Sequence, residues 1–161
     1  MFAAHKNPAI GAAQSFCFLH SEGSSDDIHQ ARNEARKLVQ HNSCSSADLV
    51  ETRTLRQYIL ETLRMTSHSI GAIRKACKDI SLVDSSEREY TIKEGETVAI
   101  SHITTHRNNT RWIDGEQFDA HREEWASVAE TNNIAVPIDS YKMTTFLMVQ
   151  TNAQEKELQL R

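Results

Sequence analysis

Apolar residues recur three or four positions apart through residues 1–39, and this spacing predicts two helices. Residues 1–20 carry the first pattern, with Asn7 and Pro8 at the start of its helix. Ser24 and Asp27 have the spacing of a capping box for a second helix, over about residues 26–39. The apolar positions of the two patterns are Ala9, Ala12, Ala13, Phe16 and Leu19, and Ile28, Ala31, Ala35 and Leu38.

A third and longer helical pattern follows. Ser45 and Asp48 repeat the capping spacing at its start, and Gly71 is expected to end it. Its apolar side is formed by Leu49, Leu55, Ile59, Leu63 and Thr66. The three patterns together predict that the first part of the chain is helical.

Beyond the third helix the apolar period shortens, which predicts β-strands. Residues 80–83, 90–92 and 97–100 are β-type runs separated by turn residues. Residues 104–145 are polar with scattered aromatic residues, and we expect irregular chain there. The predicted fold class is therefore mainly α with a small antiparallel β element.

Composition excludes several classes of function. The chain has 161 residues, enough for one domain with a core. Its net charge of −4 and pI near 6.0 argue against a nucleic-acid partner. No apolar run approaches the roughly 20 residues that span a bilayer, so no transmembrane segment is expected. The first residues lack the charge pattern and cleavage site of a secretory signal peptide.

The cysteines and histidines do not form a recognisable metal or disulfide pattern. Cys17, Cys44 and Cys77 include no C-x-x-C pair, which favours a reducing compartment. His102 and His106 are four residues apart, a spacing that suits one metal only on a helix. Because they follow a strand-like run, no metal site is predicted.

One glutamate and two arginines carry the strongest chemical signal. Glu61 and Arg64 are three residues apart on the predicted third helix and therefore share a face. Arg122 follows much later, in the segment Phe-Asp-Ala-His-Arg at 118–122. Two guanidinium groups around one carboxylate could fix a helix against a loop, because guanidinium groups bind carboxylates with two parallel hydrogen bonds. Taken alone, Glu61 and Arg64 would be an ordinary surface pair.

These residues, in this order, resemble the C-terminal part of the cytochrome P-450 family, the haem-thiolate monooxygenases. Glu61-Thr62-Leu63-Arg64 resembles the K-helix motif, and residues 118–122 resemble F-x-P-x-R, with Ala120 in place of Pro. The resemblance implies a structural triad of Glu61, Arg64 and Arg122, and a haem-propionate role for Arg74. It also implies a partial cytochrome P-450 fold over residues 1–146, with the end of the I helix, the J and K helices, a β hairpin and the meander.

The family's haem-binding loop, F-x-x-G-x-x-x-C-x-G, is missing from the sequence. Phe146 stands where that loop should open, yet no Gly or Cys follows it. In the family this cysteine is the axial iron ligand. We therefore expect a truncated, inactive protein that retains no haem, and an unrelated, disordered tail over residues 147–161.

The resemblance is to fungal enzymes that oxidise lipophilic secondary metabolites or sterols. Intact relatives use haem, a lipophilic substrate and an NADPH-dependent reductase at the endoplasmic reticulum. The present product is expected to be cytoplasmic or loosely membrane-associated. One alternative is a mis-spliced or fragmentary version of an active haem-dependent monooxygenase. Another is a small helical interaction module with exposed apolar faces around Ile28 and Leu55.

Overall fold

The structure is a computed structural model that describes residues 2–40, 48, 51–67, 71–130 and 143. Helices and antiparallel strands alternate in a mainly helical arrangement, which confirms the predicted fold class. The elements in chain order are α1 (Phe2–Ser21), α2 (Ser25–Gln40), α3 (Arg53–Thr66), β1 (Gly71–Lys75), β2 (Ile80–Val83), β3 (Glu89–Ile92), β4 (Thr97–Ser101), α4 (His102–Arg107) and α5 (Glu123–Glu130). The predicted tail over residues 147–161 lies outside the described residues.

Helix α1 differs from its prediction in both its start and its buried face. Pro8 lies inside the helix rather than at its start. The buried positions are Gly11, Ser15 and Leu19, whereas Phe16 is 64% exposed. Gly11 and Ser15 are small and allow a close approach to α3, and Ser15 donates its hydroxyl to the carbonyl of Gly11 at 2.8 Å. The apolar spacing therefore predicted the helix and the burial of Leu19, but the other four predicted apolar positions are exposed.

Helix α2 begins with the predicted capping box. The hydroxyl of Ser24 accepts the backbone N–H of Asp27 at 3.1 Å, and the Asp27 carboxylate accepts the backbone N–H of Ser24 at 3.1 Å. Ile28 and Leu55 are half-buried against the cluster around Leu19. The expected exposed faces are therefore partly covered at Ile28 and Leu55, whereas Val39 on the same helix as Ile28 is 79% exposed.

Helix α3 is shorter than predicted at both ends. It begins at Arg53 because a carboxylate from α2 caps it: Glu34 accepts the backbone N–H groups of Thr54 and Leu55, each at 3.0 Å. Ser45, the predicted start, lies outside the described residues. The helix ends at Thr66, where Ser67 adopts a left-handed conformation with φ 34° and donates its N–H to the carbonyl of Leu63.

Among the described residues, four strands form two separate antiparallel pairs. β1 pairs with β4, from Gly71 opposite Ser101 to Lys75 opposite Thr97. β2 and β3 form a hairpin, with Ile80 opposite Ile92. The three predicted strands are confirmed within one residue, but β1 was missed. Gly71, expected to end the third helix, instead begins β1 with φ 139°. All four residues of β2 are exposed.

Helices α4 and α5 lie where irregular chain was predicted. The hydroxyl of Ser101 caps α4 by accepting the backbone N–H of Thr104 at 3.3 Å. Helix α5 follows Arg122, whose carbonyl accepts the backbone N–H groups of Trp125 and Ala126. Both helices lie beside α3, so packing rather than local apolar periodicity selects them.

Helix α3 lies between two apolar clusters and contributes to both. Leu60 packs with Trp112, Trp125 and Met143 on one side. On the other side Tyr58 packs with a cluster formed by Leu19, Ala31 and Ala120. Between them, Glu61, Thr62 and Arg64 are fully buried, so the centre of the helix is polar. Within the described ranges, no helix has the length and apolar character needed to cross a membrane.

Candidate functional site

The centre of the molecule is an ion pair with no solvent exposure. Arg64 donates Nε–H to Oε2 of Glu61 and Nη2–H to Oε1, both at 2.7 Å. Both side chains are 0% exposed. The geometry is bidentate, which adds orientation to charge attraction. One turn of α3 therefore supplies a fixed, buried pair rather than a solvated surface pair.

Arg64 also fixes the segment between α4 and α5. Its Nη1 donates to the backbone carbonyls of His106 at 2.6 Å and Gly115 at 2.5 Å. Its Nη2 donates to the carbonyl of Gln117 at 2.8 Å. These carbonyls have no strand or helix ladder to join, so the guanidinium provides their hydrogen bonds. One side chain thereby orders an irregular segment of about ten residues.

Arg122 reaches the same carboxylate from the opposite direction. Its Nε donates to Oε1 of Glu61 at 3.1 Å, and the side chain is 5% exposed. The rest of its guanidinium donates to the carbonyls of Ile113, Asp114 and Gln117. The structure therefore brings Glu61, Arg64 and Arg122 together, and both arginines bind the same segment.

Two further donors to Glu61 were missed by sequence reasoning. The indole Nε1–H of Trp125 donates to Oε2 at 3.0 Å, and the backbone N–H of Asp119 donates to Oε1 at 2.8 Å. The guanidinium carbon of Arg64 lies 5.3 Å from the ring centroid of Trp112, a cation–π distance. We use the term Glu61 network for Glu61, Arg64, Arg122, Trp125 and the backbone N–H of Asp119. No local sequence signal connects Trp125 to a glutamate 64 residues earlier.

His106 is buried beside the network. Its Nδ1–H donates to the backbone carbonyl of Arg64 at 3.2 Å. Burial lowers the pKa of His106 to about 4, and the nearby charges of His102 and Arg64 act in the same direction. Burial also lowers the pKa of His102. Both imidazoles are therefore neutral at pH 7.

The two histidines share a helix face, contrary to the sequence expectation. Both lie on α4, with ring centroids 6.1 Å apart and nearly parallel planes. Their spacing is thus the one that suits a metal on a helix. Within the part of the chain that the structure describes, however, no group of three or more His, Cys, Asp or Glu side chains is placed to hold a metal ion.

A polar cleft of about 370 Å³ lies beside the loop that carries Arg122. Asp27 accepts the hydroxyls of Ser24 at 2.7 Å and Tyr58 at 3.1 Å, and pairs with Nε2 of His121 at 3.1 Å. Burial raises the pKa of the Tyr58 hydroxyl, and the Asp27 charge raises it further. Burial alone would raise the pKa of Asp27, but its bonds from Ser24 and His121 outweigh burial and lower it.

The hydrogen bonds of this cleft do not form a nucleophile and base. The Ser24 hydroxyl donates to Asp27 and not to His121, and Tyr58 keeps its proton. A serine nucleophile needs a base that accepts its proton and then passes it on. The cleft therefore fastens the N-terminus of α2 to the loop before α5.

Arg74, expected to pair with a haem propionate, is not a member of the Glu61 network. It lies on β1, is exposed, and donates Nη1–H to the carbonyl of Ile73 at 2.9 Å. An exposed guanidinium at the edge of a two-stranded sheet is free to bind an anion, but no second described side chain is shown to join it there. The structure alone assigns Arg74 no ligand.

The described residues do not fit a haem-thiolate site. Cys17 on α1 and Cys77 after β1 are both exposed thiols, and Cys44 lies outside the described residues. None of the three cysteines is preceded or followed by glycine, unlike the cysteine of the haem-binding loop. A thiolate iron ligand needs a sheltered loop that excludes water and donates hydrogen bonds to the sulfur.

Comparison with known proteins identifies one family. The family model described as Cytochrome P-450 matches residues 15–141 of the chain. The matched span includes the Glu61 network. A search of curated proteins gave no significant match.

Proposed function

This chain belongs to the cytochrome P-450 family, and from that premise we propose that it carries the family's structural centre without its oxygen-activating chemistry. Members of the family bind haem and generally receive electrons from a reductase partner. We propose that Glu61, Arg64 and Arg122 act as a structural triad in a P-450-like domain over residues 1–146. The triad holds α3 against the segment before α5.

The observation that carries the proposal is the buried carboxylate of Glu61, bound by guanidinium groups from two distant parts of the chain. Breaking a buried ion pair typically costs 3–5 kcal/mol. Such a network is an arrangement for holding backbone in place, because almost all its remaining hydrogen bonds go to backbone carbonyls.

The sequence context of the cysteines supports the proposed lack of oxygen-activating chemistry. The family's haem, when bound through a cysteine thiolate, supplies oxygen activation. None of the three cysteines of these 161 residues lies in a glycine-rich loop of that kind. We therefore infer that these residues alone are inactive as a monooxygenase and retain no thiolate-bound haem.

Two finer parts of the proposal concern ligands. We propose that Arg74 occupies the position of the arginine that binds a haem propionate in haem-bound relatives. Its exposed guanidinium on β1 supports this. We also propose a relationship to fungal enzymes that oxidise lipophilic secondary metabolites or sterols. Replacement by Gln of the arginine that corresponds to Arg74 in a haem-binding member of the family tests the first point through haem affinity.

The experiment that tests the proposal is reconstitution of the 161-residue chain with haem, followed by reduction and exposure to carbon monoxide. We expect no absorption band of a thiolate–CO complex. Appearance of that band would overturn the proposal, and Cys17→Ser, Cys44→Ser and Cys77→Ser would show which sulfur binds the iron.

A second candidate is a haem-dependent monooxygenase whose iron ligand is encoded in sequence that this chain does not contain. The complete geometry of the Glu61 network favours it, because a working enzyme of the family needs that part of the fold. Sequencing the transcript across the codon for Phe146 separates the two candidates. A downstream exon or frame encoding G-x-x-x-C-x-G would support the second candidate.

A further inference from the structure

The two oxygens of the Glu61 carboxylate have different partners. Oε1 accepts from Arg64, Asp119 and Arg122, at 2.7, 2.8 and 3.1 Å. Oε2 accepts from Nε of Arg64 at 2.7 Å and from the indole of Trp125 at 3.0 Å. A carboxylate oxygen has about two lone-pair sites. The two donors to Oε2 match that number, whereas three donors share Oε1. Among the described residues, Trp125 is thus the neutral side chain that shares this oxygen with Arg64.

The charge balance of the network explains why this donor is an indole. Two guanidinium groups and one carboxylate are buried together, which leaves an excess of one positive charge. Another cationic donor at Oε2 would increase that excess in a region from which water is excluded. The Trp indole donates one hydrogen bond, carries no charge and has no acceptor atom that would need a donor of its own. Trp125 is also 0% exposed, so its N–H must find a partner within the protein.

Trp125 and Arg122 are linked through the start of α5. The carbonyl of Arg122 accepts the backbone N–H of Trp125 at 3.0 Å, so the two residues lie one turn apart. Both side chains then donate to the same carboxylate on α3. We propose that Trp125 is a positioning residue: its indole N–H orients the Glu61 carboxylate toward Arg64 and fixes the first turn of α5 on α3.

Trp112 provides the matched comparison. It is buried to the same extent and packs on Trp125 with ring centroids 5.6 Å apart. Its ring faces the guanidinium of Arg64, whereas the Glu61 carboxylate accepts the indole of Trp125. Replacing either tryptophan with Phe removes the same atoms from the same cluster. Of the two variants, Trp125→Phe is the one that removes the indole donor to Glu61.

The test uses the two indole N–H resonances of the full chain, which contains two tryptophans. Spectra of ¹⁵N-labelled Trp112→Phe and Trp125→Phe assign the two peaks. We expect the Trp125 indole proton well downfield of its position in the urea-unfolded chain, because it donates to a carboxylate. Glu61→Gln should move that peak upfield by more than it moves the Trp112 peak.

A Trp125 peak at the unfolded-chain position in the wild-type protein would overturn the proposal, and so would equal shifts of both peaks in Glu61→Gln. If Glu61→Gln does not fold, the position of the Trp125 peak in the wild-type protein alone decides between the two outcomes.

The stability of the two tryptophan variants provides a second test. Trp125→Phe should lower the ratio of folded to unfolded protein about tenfold more than Trp112→Phe, since a hydrogen bond to a charged group is lost. An equal or larger loss for Trp112→Phe would contradict the proposal.

This inference does not depend on haem. A thiolate–CO band in the reconstitution experiment would overturn the proposed lack of oxygen chemistry and leave the role of Trp125 unchanged. Conversely, a Trp125 indole without its hydrogen bond would overturn the role of Trp125. It would not change the result expected from reconstitution with haem.

Discussion

The α3 region and the β2–β3 hairpin contain the same type of ion pair in opposite surroundings. Arg64 and Glu61 are 0% exposed, and their nitrogen and oxygen atoms lie 2.7 Å apart. On the hairpin, Arg88 binds Asp84 at 3.0 Å with the arginine side chain 71% exposed. Both are arginine–carboxylate pairs between residues that are close in sequence, three apart in α3 and four apart in the hairpin. Water competes for the hairpin pair, whereas the α3 pair has only protein groups around it.

The difference shows that sequence spacing identifies a pair but not its importance. A solvated pair contributes little, because water and salt screen the charges and both side chains lose conformational freedom. A buried pair is costly to break, because the remaining charge has no water to solvate it. The Glu61 network therefore determines whether α3, α4 and α5 hold together, while the hairpin can lose its ion pair and remain folded.

The largest effect is expected from Arg64→Lys. A lysine ammonium cannot reproduce the bidentate contact with Glu61 or reach the three carbonyls that Arg64 binds. We expect a loss of about 3–5 kcal/mol, a large part of the total stability of a small domain. Urea unfolding followed by circular dichroism measures it. Arg88→Lys is the control, and its unfolding midpoint should stay where the wild type has it.

If Arg64→Lys and Arg88→Lys unfolded at the same urea concentration, the contrast between the two regions would be wrong. The buried network would then contribute no more than the exposed hairpin pair. A lower urea midpoint in Arg64→Lys alone would strengthen the contrast between the two regions. Early loss of the helical far-ultraviolet signal in that variant would support it further.

The second effect is a loss of stability in mild acid. The pKa of His106 is about 4 in the folded protein and 6.5 in an unperturbed chain, so the unfolded state binds the proton more readily. The stability from the neutral imidazole is complete above pH 6.5 and is lost as the pH falls toward 4. The loss over that window amounts to about 3 kcal/mol. Burial of His102 acts in the same direction.

Unfolding midpoints measured between pH 7 and pH 4 test this expectation. His106→Asn keeps a side-chain N–H that can donate to the carbonyl of Arg64 but does not titrate, so its stability should depend less on pH. His29→Asn, at an exposed position of α2, is the matched control and should follow the wild-type curve. A His106→Asn curve parallel to the wild type would show that another group causes the acid sensitivity.

The third effect concerns two glycines. A Cβ on Gly115 would lie 2.7 Å from the carbonyl oxygen of Arg107, and the segment would have to move away from Arg64. A Cβ on Gly95, in the turn before β4, would meet Lys75 Cε at an ordinary contact distance of 4.0 Å, but Gly95 has a φ of +86°. We expect Gly115→Ala to cost about 1–3 kcal/mol through crowding. Gly95→Ala should cost about 1 kcal/mol through its backbone conformation alone.

Thermal unfolding of the two alanine variants, followed by circular dichroism, distinguishes them. Gly115→Ala should also shift the Trp125 indole resonance, because the displaced segment is hydrogen-bonded to Arg64 of the Glu61 network. Gly95→Ala should leave that resonance in place. A larger loss of stability for Gly95→Ala would mean that the loop around Gly115 can relax without disturbing Arg64.

Local patterns were predictable from the sequence, and long-range contacts were not. The Ser24–Asp27 capping box involves neighbours in sequence, so its spacing is sufficient to recognise it. The start of α3 depends on Glu34, 20 residues before Thr54, and no local signal marks that partner. The helix that carries Trp125 is only eight residues long and is selected by its packing against α3.

The Glu61 network shows the same division. Glu61 and Arg64 are neighbours on one helix face, and their pairing follows from the helical period. Arg122 was placed near them through the family resemblance, because no physical rule connects residues 61 positions apart. The two short helices α4 and α5 escaped prediction because polar residues dominate their sequences. The apolar anchors of this region are Trp112, which lies between the two helices, and Trp125 in α5, and both pack on Leu60 of α3.

The smallest effect is expected from Glu34→Gln, and it extends the comparison to carboxylates that bind backbone N–H groups. Glu34 is buried and caps α3 through Thr54 and Leu55. The amide keeps one acceptor oxygen but removes the charge that the helix N-terminus favours, so we expect a loss of stability of about 1 kcal/mol.

The control carboxylate is Asp79, which accepts the backbone N–H of Glu94 at 2.8 Å in the exposed hairpin region. Asp79→Asn is the matched control and should leave the urea midpoint unchanged. Amide hydrogen exchange at Thr54 and Leu55 should become faster in Glu34→Gln, and equal exchange in both variants would mean that burial adds nothing to this cap.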